Sequence, residues 1–154
     1  MNRGDMKHRA VILSNIGCRI AGVAAGIIIG LGFVAAAVKF TAKKPDLLDL
    51  LDVGRVQFGA LHQVEWLLVP LSCGLVALGG RRNQIVAGAA FGLLVIKTLF
   101  IQPALHQHMV SRLEGKPISG SSPHLEYLII SLLMVICLLF LSLSGTRHND
   151  ANLG

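Results

Sequence analysis

The sequence has little charge. Only 14% of its 154 residues are Asp, Glu, Lys or Arg, and 53% are hydrophobic, whereas a soluble domain carries about 25% charged residues. Because the apolar residues form several long runs, this shortage excludes an ordinary soluble domain and predicts an integral membrane protein. One small domain is expected at this length.

Aromatic residues and cysteines are also scarce. Aromatics make up 5% of the chain, and the basic residues behind its net charge of +6 lie at the ends of apolar runs. That arrangement is typical of membrane-topology signals and excludes a nucleic-acid surface, where aromatics interleave with a basic patch. No CxxC pair occurs, so the three widely spaced cysteines predict buried free thiols rather than a disulfide framework: Cys18, Cys73 and Cys137.

Common catalytic and transport signatures are missing. The sequence has no Ser-His-Asp arrangement, no phosphate-binding loop and no HExxH motif, which favours a protein that is not an enzyme. It also shows no inverted repeat and no pair of broken helices. A complete transport path through the membrane is therefore not predicted.

The apolar runs predict an all-α fold, a bundle of four transmembrane helices. The spans are expected at about 20–38, 56–79, 84–102 and 125–143, between a basic N-terminal segment, 1–19, and a polar, disordered tail, 144–154. Aspartates at every third position of 46–52, with leucines between them, predict a short amphipathic helix at the membrane surface. Pro103 is expected to kink or end the third span, with a polar helical extension over 104–114.

The first span has two interpretations. Ala35-Ala36-Ala37 offers a small-residue cleavage site, as in a signal peptide. Glycines at intervals of four favour a retained helix instead, because they form a smooth ridge that lets another helix approach closely. The predicted helix-packing glycines are Gly22, Gly26 and Gly30 in the first span and Gly88 and Gly92 in the third.

Loop charges predict the orientation. Arg81 and Arg82 occupy the shortest loop, and the N-terminal segment is basic. Under the positive-inside rule, both termini and the turn at 79–83 are expected in the cytoplasm. Lys39, Lys43 and Lys44 fall on the opposite side, so charge counting alone does not settle the orientation.

Counting residues along the second and third spans predicts a contact between opposite charges. Glu65 lies 14 residues before Gly79, and Lys97 lies 14 residues after Asn83. At about 1.5 Å per residue, each sits ~21 Å above the turn that joins the two helices. Antiparallel neighbours should therefore bring Glu65 and Lys97 together as a buried ion pair.

Further polar residues fall near that level. We expect a polar site in the outer half of the bundle that binds a ligand, ion or cofactor, or that passes protons. Its predicted members are His62, Glu65, Lys97, Gln102 and Tyr127. Imidazoles from three helices also suggest a haem or divalent-metal site at His62, His106 and His124. Lys97 would repel a cation there.

A structural role is the alternative. Small size and glycine-rich helices favour a homo-oligomer or an accessory subunit of a larger membrane complex, with the lipid bilayer as the other partner. Glu65 and Lys97 would then be a packing pair that fixes the register of two helices.

Two family resemblances bear on these expectations. The overall plan resembles small four-helix bacterial inner-membrane proteins of uncharacterised function, through Gly54-Arg55-Val56 leading into Trp66, Gln102-Pro103-Ala104-Leu105, and His124-Leu125. That resemblance implies the fold and no activity. Arg55, His62, Glu65 and Pro70 also resemble the charged motif of small membrane enzymes of eicosanoid and glutathione metabolism, although the family's Arg-Ala-His run and its Asn are absent.

Overall fold

The structure is a computed structural model that describes residues 3–35, 47–113 and 123–150. The α-helices in these ranges are α1 (Arg3–Ile27), α2 (Leu47–Val76), α3 (Arg81–Ile96), α4 (Gln102–Leu113) and α5 (Pro123–Asp150). A π-helical turn, Ile28–Val34, continues α1, and a second one, Lys97–Ile101, joins α3 to α4. A single 3-10 turn, Ala77–Gly79, ends α2.

The described residues contain four helical segments long and apolar enough to cross a membrane. They are Gly4–Val34, Val53–Gly79, Arg81–Leu105 and Leu125–Gly145. Each exceeds the roughly 20 residues that a ~30 Å hydrocarbon core requires. The prediction of an all-α protein with four membrane-spanning lengths of helix is therefore confirmed at the level of length and composition.

The four long helices pack in a ring. α1 contacts α2 and α5, and α3 contacts the same two helices from the other side. The shared core is rich in small side chains on α1, and Ala21, Ala24 and Ala25 are almost completely buried there. Small residues allow neighbouring backbones to approach closely, which is the main source of helix association in lipid.

The turn between α2 and α3 sets the register of these two helices. Gly80 has φ 131°, a backbone conformation that glycine adopts without steric cost. The Gln84 N–H donates to the Gly80 carbonyl at 3.0 Å, and the Gln84 side chain donates to the Ala77 carbonyl at 2.9 Å. The chain therefore reverses tightly, and we call this end of the bundle the turn end.

Helix α1 begins earlier than predicted. It starts at Arg3 rather than near residue 20, so the segment predicted as 1–19 is helical from Arg3 onward and continuous with the first span. No proline lies in this segment, and Ser14, Gly17 and Cys18 are buried. The tertiary contacts of these residues extend the helix well beyond the apolar run.

The surface helix predicted over 46–52 is not a separate element. Leu47–Val76 is one continuous helix, and residues 39–46 lie outside the described part of the chain. The predicted polar tail is helical as far as Asp150, because α5 continues past its apolar section. Gly54 and Gly145 lie at these two boundaries, but neither boundary contains a proline, and the helix continues through both.

Pro103 changes the helix without ending it. The π-helical turn Lys97–Ile101 lies directly before it, and α4 continues as far as Leu113. Proline has no N–H to donate and its ring crowds the carbonyl four residues earlier. The wider turn accommodates this, since the Gln102 N–H donates to the Lys97 carbonyl, five residues back. The predicted extension over 104–114 is thus helical through Leu113.

Among the predicted helix-packing glycines, the described part of the chain shows a close contact at Gly22. A Cβ on Gly22 would lie 2.6 Å from the Ser142 hydroxyl, so this glycine permits a close helix contact. Added Cβ atoms at the other four would meet no described atom within 4 Å: Gly26, Gly30, Gly88 and Gly92. Spacing alone does not reveal which side of a helix faces a neighbour.

Replacing Gly17 with Ala should destabilise the bundle, because the new Cβ would lie 2.7 Å from Leu75 Cβ and 2.9 Å from the Val76 backbone nitrogen. We expect a loss of roughly 1–3 kcal/mol, typical of overpacking. Gly26→Ala on the same helix is the matched control and should stay within about 1 kcal/mol of the wild type. Denaturant unfolding in detergent, followed by circular dichroism, measures both. Equal losses would contradict the packing described for α1.

Candidate functional site

An ion pair joins α2 to the π-helical turn after α3. Lys97 Nζ donates to Glu65 Oε1 at 2.7 Å and to Glu65 Oε2 at 2.9 Å. Both side chains are 0% exposed. The contact predicted from residue counting is therefore confirmed, and it lies ~21 Å from the turn end by helical rise.

The pair compensates two charges that an apolar bundle would not otherwise hold. An isolated ammonium or carboxylate in a low-dielectric interior is strongly disfavoured, and removing one partner leaves the other uncompensated. The face of the Tyr127 ring adds to this, since its centroid lies 4.0 Å from Lys97 Nζ. Such cation–π contacts are strongest when the cation is desolvated.

The π-helical turn places Lys97 and its neighbour against α2. Lys97 is the first residue of that turn, and Thr98 follows it. The Trp66 indole N–H donates to Thr98 Oγ1 at 3.0 Å, while the Thr98 hydroxyl donates to the Leu94 carbonyl at 2.8 Å. π-Helical turns are frequent at functional sites because they shift side chains out of the regular helical positions.

Aromatic and aliphatic side chains cover the site on the α5 side. The Phe58 and Tyr127 rings meet edge to face, with centroids 5.3 Å apart. Tyr127 forms a small buried cluster with Ile101 and Leu105. These contacts keep the Lys97 end of the pair in an apolar environment, which strengthens the interaction between its charges.

His62 forms the open side of the site. It lies one turn before Glu65 on α2, with Nδ1 3.8 Å from Glu65 Oε2, and its side chain is 18% exposed. The His62 ring also contacts the Trp66 ring edge to face, with centroids 6.5 Å apart. Through His62, the buried carboxylate has a polar neighbour that reaches the surface of the bundle.

Three buried polar atoms around the pair make no hydrogen bond to the described part of the protein. They are His62 Nδ1, Tyr127 Oη and Ser131 Oγ. Buried polar atoms in proteins nearly always have a partner, so each of these requires an explanation. Tyr127 and Ser131 are four residues apart on α5 and thus share a face. The two hydroxyls lie near each other but not in hydrogen-bonding geometry, so the ion pair is flanked by donors and acceptors that are not fully used.

The structure brings together four of the five residues predicted for the polar site. His62 contacts Glu65, Glu65 binds Lys97, and Lys97 lies over the Tyr127 ring. Gln102 lies at the end of the π-helical turn and is half-buried. The hydrogen bonds of Glu65 and Lys97 do not include one from the Gln102 side chain.

The predicted metal or haem site falls largely outside what the structure describes. His106 belongs to α4 and His124 to the first turn of α5, but their side chains are not among the described ones. Among the described side chains, no group of three His, Cys, Asp or Glu could hold a metal ion. Glu65 is also poorly suited as a ligand, because Lys97 occupies both of its oxygens.

Sequence reasoning missed the Trp66–Thr98 hydrogen bond and the contribution of Ser131. This hydrogen bond could have been predicted, because Trp66 directly follows Glu65 and Thr98 directly follows Lys97 in the sequence. Two such antiparallel residues differ in level by only about 3 Å. Ser131 shares a helical face with Tyr127, yet nothing in the sequence indicates that both hydroxyls lack partners.

Comparisons with protein-family models, curated proteins and solved structures gave no match to this chain. The function is therefore argued from the geometry of the site.

Replacing one member of the pair should destabilise the protein far more than replacing both. Glu65→Leu and Lys97→Met each leave a buried charge unpaired and should cost about 3–5 kcal/mol. The double variant removes both charges and should approach wild-type stability. Denaturant unfolding in detergent, followed by circular dichroism, provides the free energies for the double-mutant cycle.

Asp5 and Arg9 provide a matched surface pair. Their closest charged atoms are 4.0 Å apart and their side chains are 56% and 68% exposed. Asp5→Leu and Arg9→Met should each change the free energy of unfolding by about 0.5 kcal/mol or less. Additive losses in the Glu65 and Lys97 double variant would show that the two residues do not stabilise each other.

Proposed function

We propose that this chain is a multi-pass inner-membrane protein whose Glu65–Lys97 site binds a small polar ligand. The observation that carries this proposal is the set of three unpartnered polar atoms beside the pair, His62 Nδ1, Tyr127 Oη and Ser131 Oγ. Phe and Ala would fit the last two positions without leaving polar atoms unpaired. Their hydroxyls are therefore best explained by a bound partner.

The chemistry of the site favours a neutral ligand with hydrogen-bonding groups. Lys97 and Glu65 together carry no net charge, and each satisfies the other. The remaining groups are two hydroxyls and one imidazole nitrogen, which can donate or accept. Because Lys97 lies 2.7 Å from Glu65, a metal cation at the carboxylate would have to displace the ammonium. We propose that the ligand enters the site past the partly exposed side chain of His62.

A structural role is the second candidate. It is favoured by the complete burial and mutual hydrogen bonding of Glu65 and Lys97. In that case the pair fixes the register of α2 and α3 inside a membrane complex or a homo-oligomer. The two candidates differ in what the unpartnered hydroxyls do, and this difference can be measured.

We further propose that both termini and the turn at Gly79–Gly80 face the cytoplasm, and that α1 is retained. Exposed Arg81 and Arg82 lie at the turn end, in accord with the positive-inside rule. The buried alanines of α1 support retention, since loss of this helix would uncover the faces of α2 and α5 that contact it.

Removing the two hydroxyls should abolish ligand binding without weakening the fold. We expect the wild type, extracted in a mild detergent, to carry a small non-lipid molecule that is detectable by native mass spectrometry. Tyr127→Phe with Ser131→Ala should lose that molecule. The variant should unfold at the same or a higher denaturant concentration, because each unpaired buried polar group costs about 1–3 kcal/mol.

Ser72→Ala serves as the matched control. This serine is also buried on α2, but its hydroxyl donates to the Val69 carbonyl at 2.9 Å. It should therefore retain the molecule. If the wild type carries no such species, or if the double variant retains it as Ser72→Ala does, ligand binding at the two hydroxyls is ruled out and the structural role is favoured.

The orientation predicts opposite labelling of two exposed positions. Arg81→Cys at the turn end and Gln107→Cys on α4 should react with a membrane-impermeant maleimide from opposite sides. We expect Arg81→Cys to be labelled in inverted vesicles only and Gln107→Cys in intact spheroplasts only. The wild type controls for native thiols, of which Cys18 and Cys73 are buried and Cys137 is half-buried. The reverse pattern would invert the proposed topology.

A further inference from the structure

A cavity of about 360 Å³ lies at the turn end, far from the Glu65–Lys97 site. It is enclosed by α1, the first turn of α3 and the last apolar turn of α5. The polar groups that line it include Ser14, Asn15, Arg82, Asn83 and Ser144. Its volume falls in the range of small-ligand sites, about 300–1,000 Å³.

The cavity is cationic. Arg82 is the charged residue in its lining, which contains no carboxylate among the described residues. The guanidinium carbon of Arg82 lies 4.8 Å from the centroid of the Phe140 ring, and Phe140 also lines the cavity. This contact holds the guanidinium at the cavity wall while leaving its N–H groups available, since cation–π contacts use the face of the group.

The N-terminus of α3 adds further positive potential. Gly80 precedes this 16-residue helix and supplies no side chain to cap it. Backbone N–H groups in the first turn of a helix have no partner within the helix, and they favour anions. Arg82 and Asn83, both in that first turn, contribute to the wall of the cavity.

A buried hydroxyl also faces this space. Ser14 is only 6% exposed and lines the cavity. A Cβ on Gly79 would collide with the Ser14 hydroxyl, so glycine at this position gives the hydroxyl its room. A hydroxyl in the cavity wall beside an arginine and a helix N-terminus forms a set of donors that phosphate oxygens can accept from.

We propose that this cavity binds a phosphate group, carried either by an anionic phospholipid or by inorganic phosphate. The turn end coincides with the ends of three membrane-spanning segments, which terminate or begin at Gly79, Arg81 and Gly145. Lipid phosphates lie at that depth, where basic pockets between helices bind anionic headgroups. The proposal does not depend on the Glu65–Lys97 site and can fail without affecting it.

The test compares Arg82→Gln with Arg81→Gln in the full-length protein. The two variants lose the same charge at adjacent positions, but only Arg82 lines the cavity. Dioleoyl phosphatidylglycerol and dioleoyl phosphatidylcholine are titrated by native mass spectrometry, and inorganic phosphate is titrated by calorimetry. Asn15→Leu, which replaces a polar group in the wall, is a second cavity variant should Arg82→Gln fold poorly.

We expect Arg82→Gln and Asn15→Leu to bind phosphatidylglycerol about tenfold more weakly, as for the loss of a hydrogen bond to a charged group. Arg81→Gln should stay within about threefold of the wild type, as for an exposed charge. The same pattern with inorganic phosphate, and no preference for phosphatidylglycerol, would support the proposal and identify free phosphate as the source. Equal weakening by Arg81→Gln and Arg82→Gln, or no change in any variant, would overturn it.

Discussion

The ion pair between Glu65 and Lys97 is the constraint on which the arrangement of α2 and α3 depends. Neither charge is tolerable alone in the core of an apolar bundle, so the two helices are held in the one register in which the charges meet. That register also places Trp66 within hydrogen-bonding distance of Thr98 and Lys97 over the Tyr127 ring. A shift of either helix by one residue would break these contacts together. The specificity of this part of the fold thus comes from a few polar contacts, whereas apolar area supplies little discrimination between registers in lipid.

The packing of α1 depends instead on how closely its backbone approaches the neighbouring helices. Gly17 lies where the backbone of α2 comes closest, and Gly145 on α5 lies against Cys18. At regularly spaced Gly26 and Gly30, an added Cβ would have no described atom within 4 Å. Close approach is therefore decided by where the axes of two helices cross, which the period of glycines along one helix does not specify.

The sequence allowed the fold class and the centre of the site to be predicted, because both rest on simple geometry. The number of long apolar runs predicts the number of helices. A short turn between two helices determines which of their residues lie at the same height, and for this reason the contact between Glu65 and Lys97 could be predicted. Helix ends were less predictable: α1 and α5 extend through polar sequence that contains glycines but no proline. The unpartnered hydroxyls of Tyr127 and Ser131 depend on side-chain rotamers, which spacing does not determine. The turn-end cavity was missed since Ser14 and Asn15 belong to the segment predicted to lie outside the spans.

Desolvation explains why the two polar regions of the bundle differ in charge. In the middle, where water is excluded, a positive group persists only beside a negative one, and the Glu65–Lys97 site is accordingly neutral. At the turn end, Arg82 is exposed to solvent on one side and needs no carboxylate, so the cavity beside it is cationic.

The proposed ligands follow from this difference: an uncharged polar molecule matches the buried pair, and a phosphate group matches the turn end. An anion near Glu65 would meet a carboxylate already satisfied by Lys97, whereas a neutral molecule at the turn end would leave the positive potential of Arg82 and the α3 N-terminus uncompensated. The two sites should therefore select different ligands even though about four helical turns of one hairpin separate them.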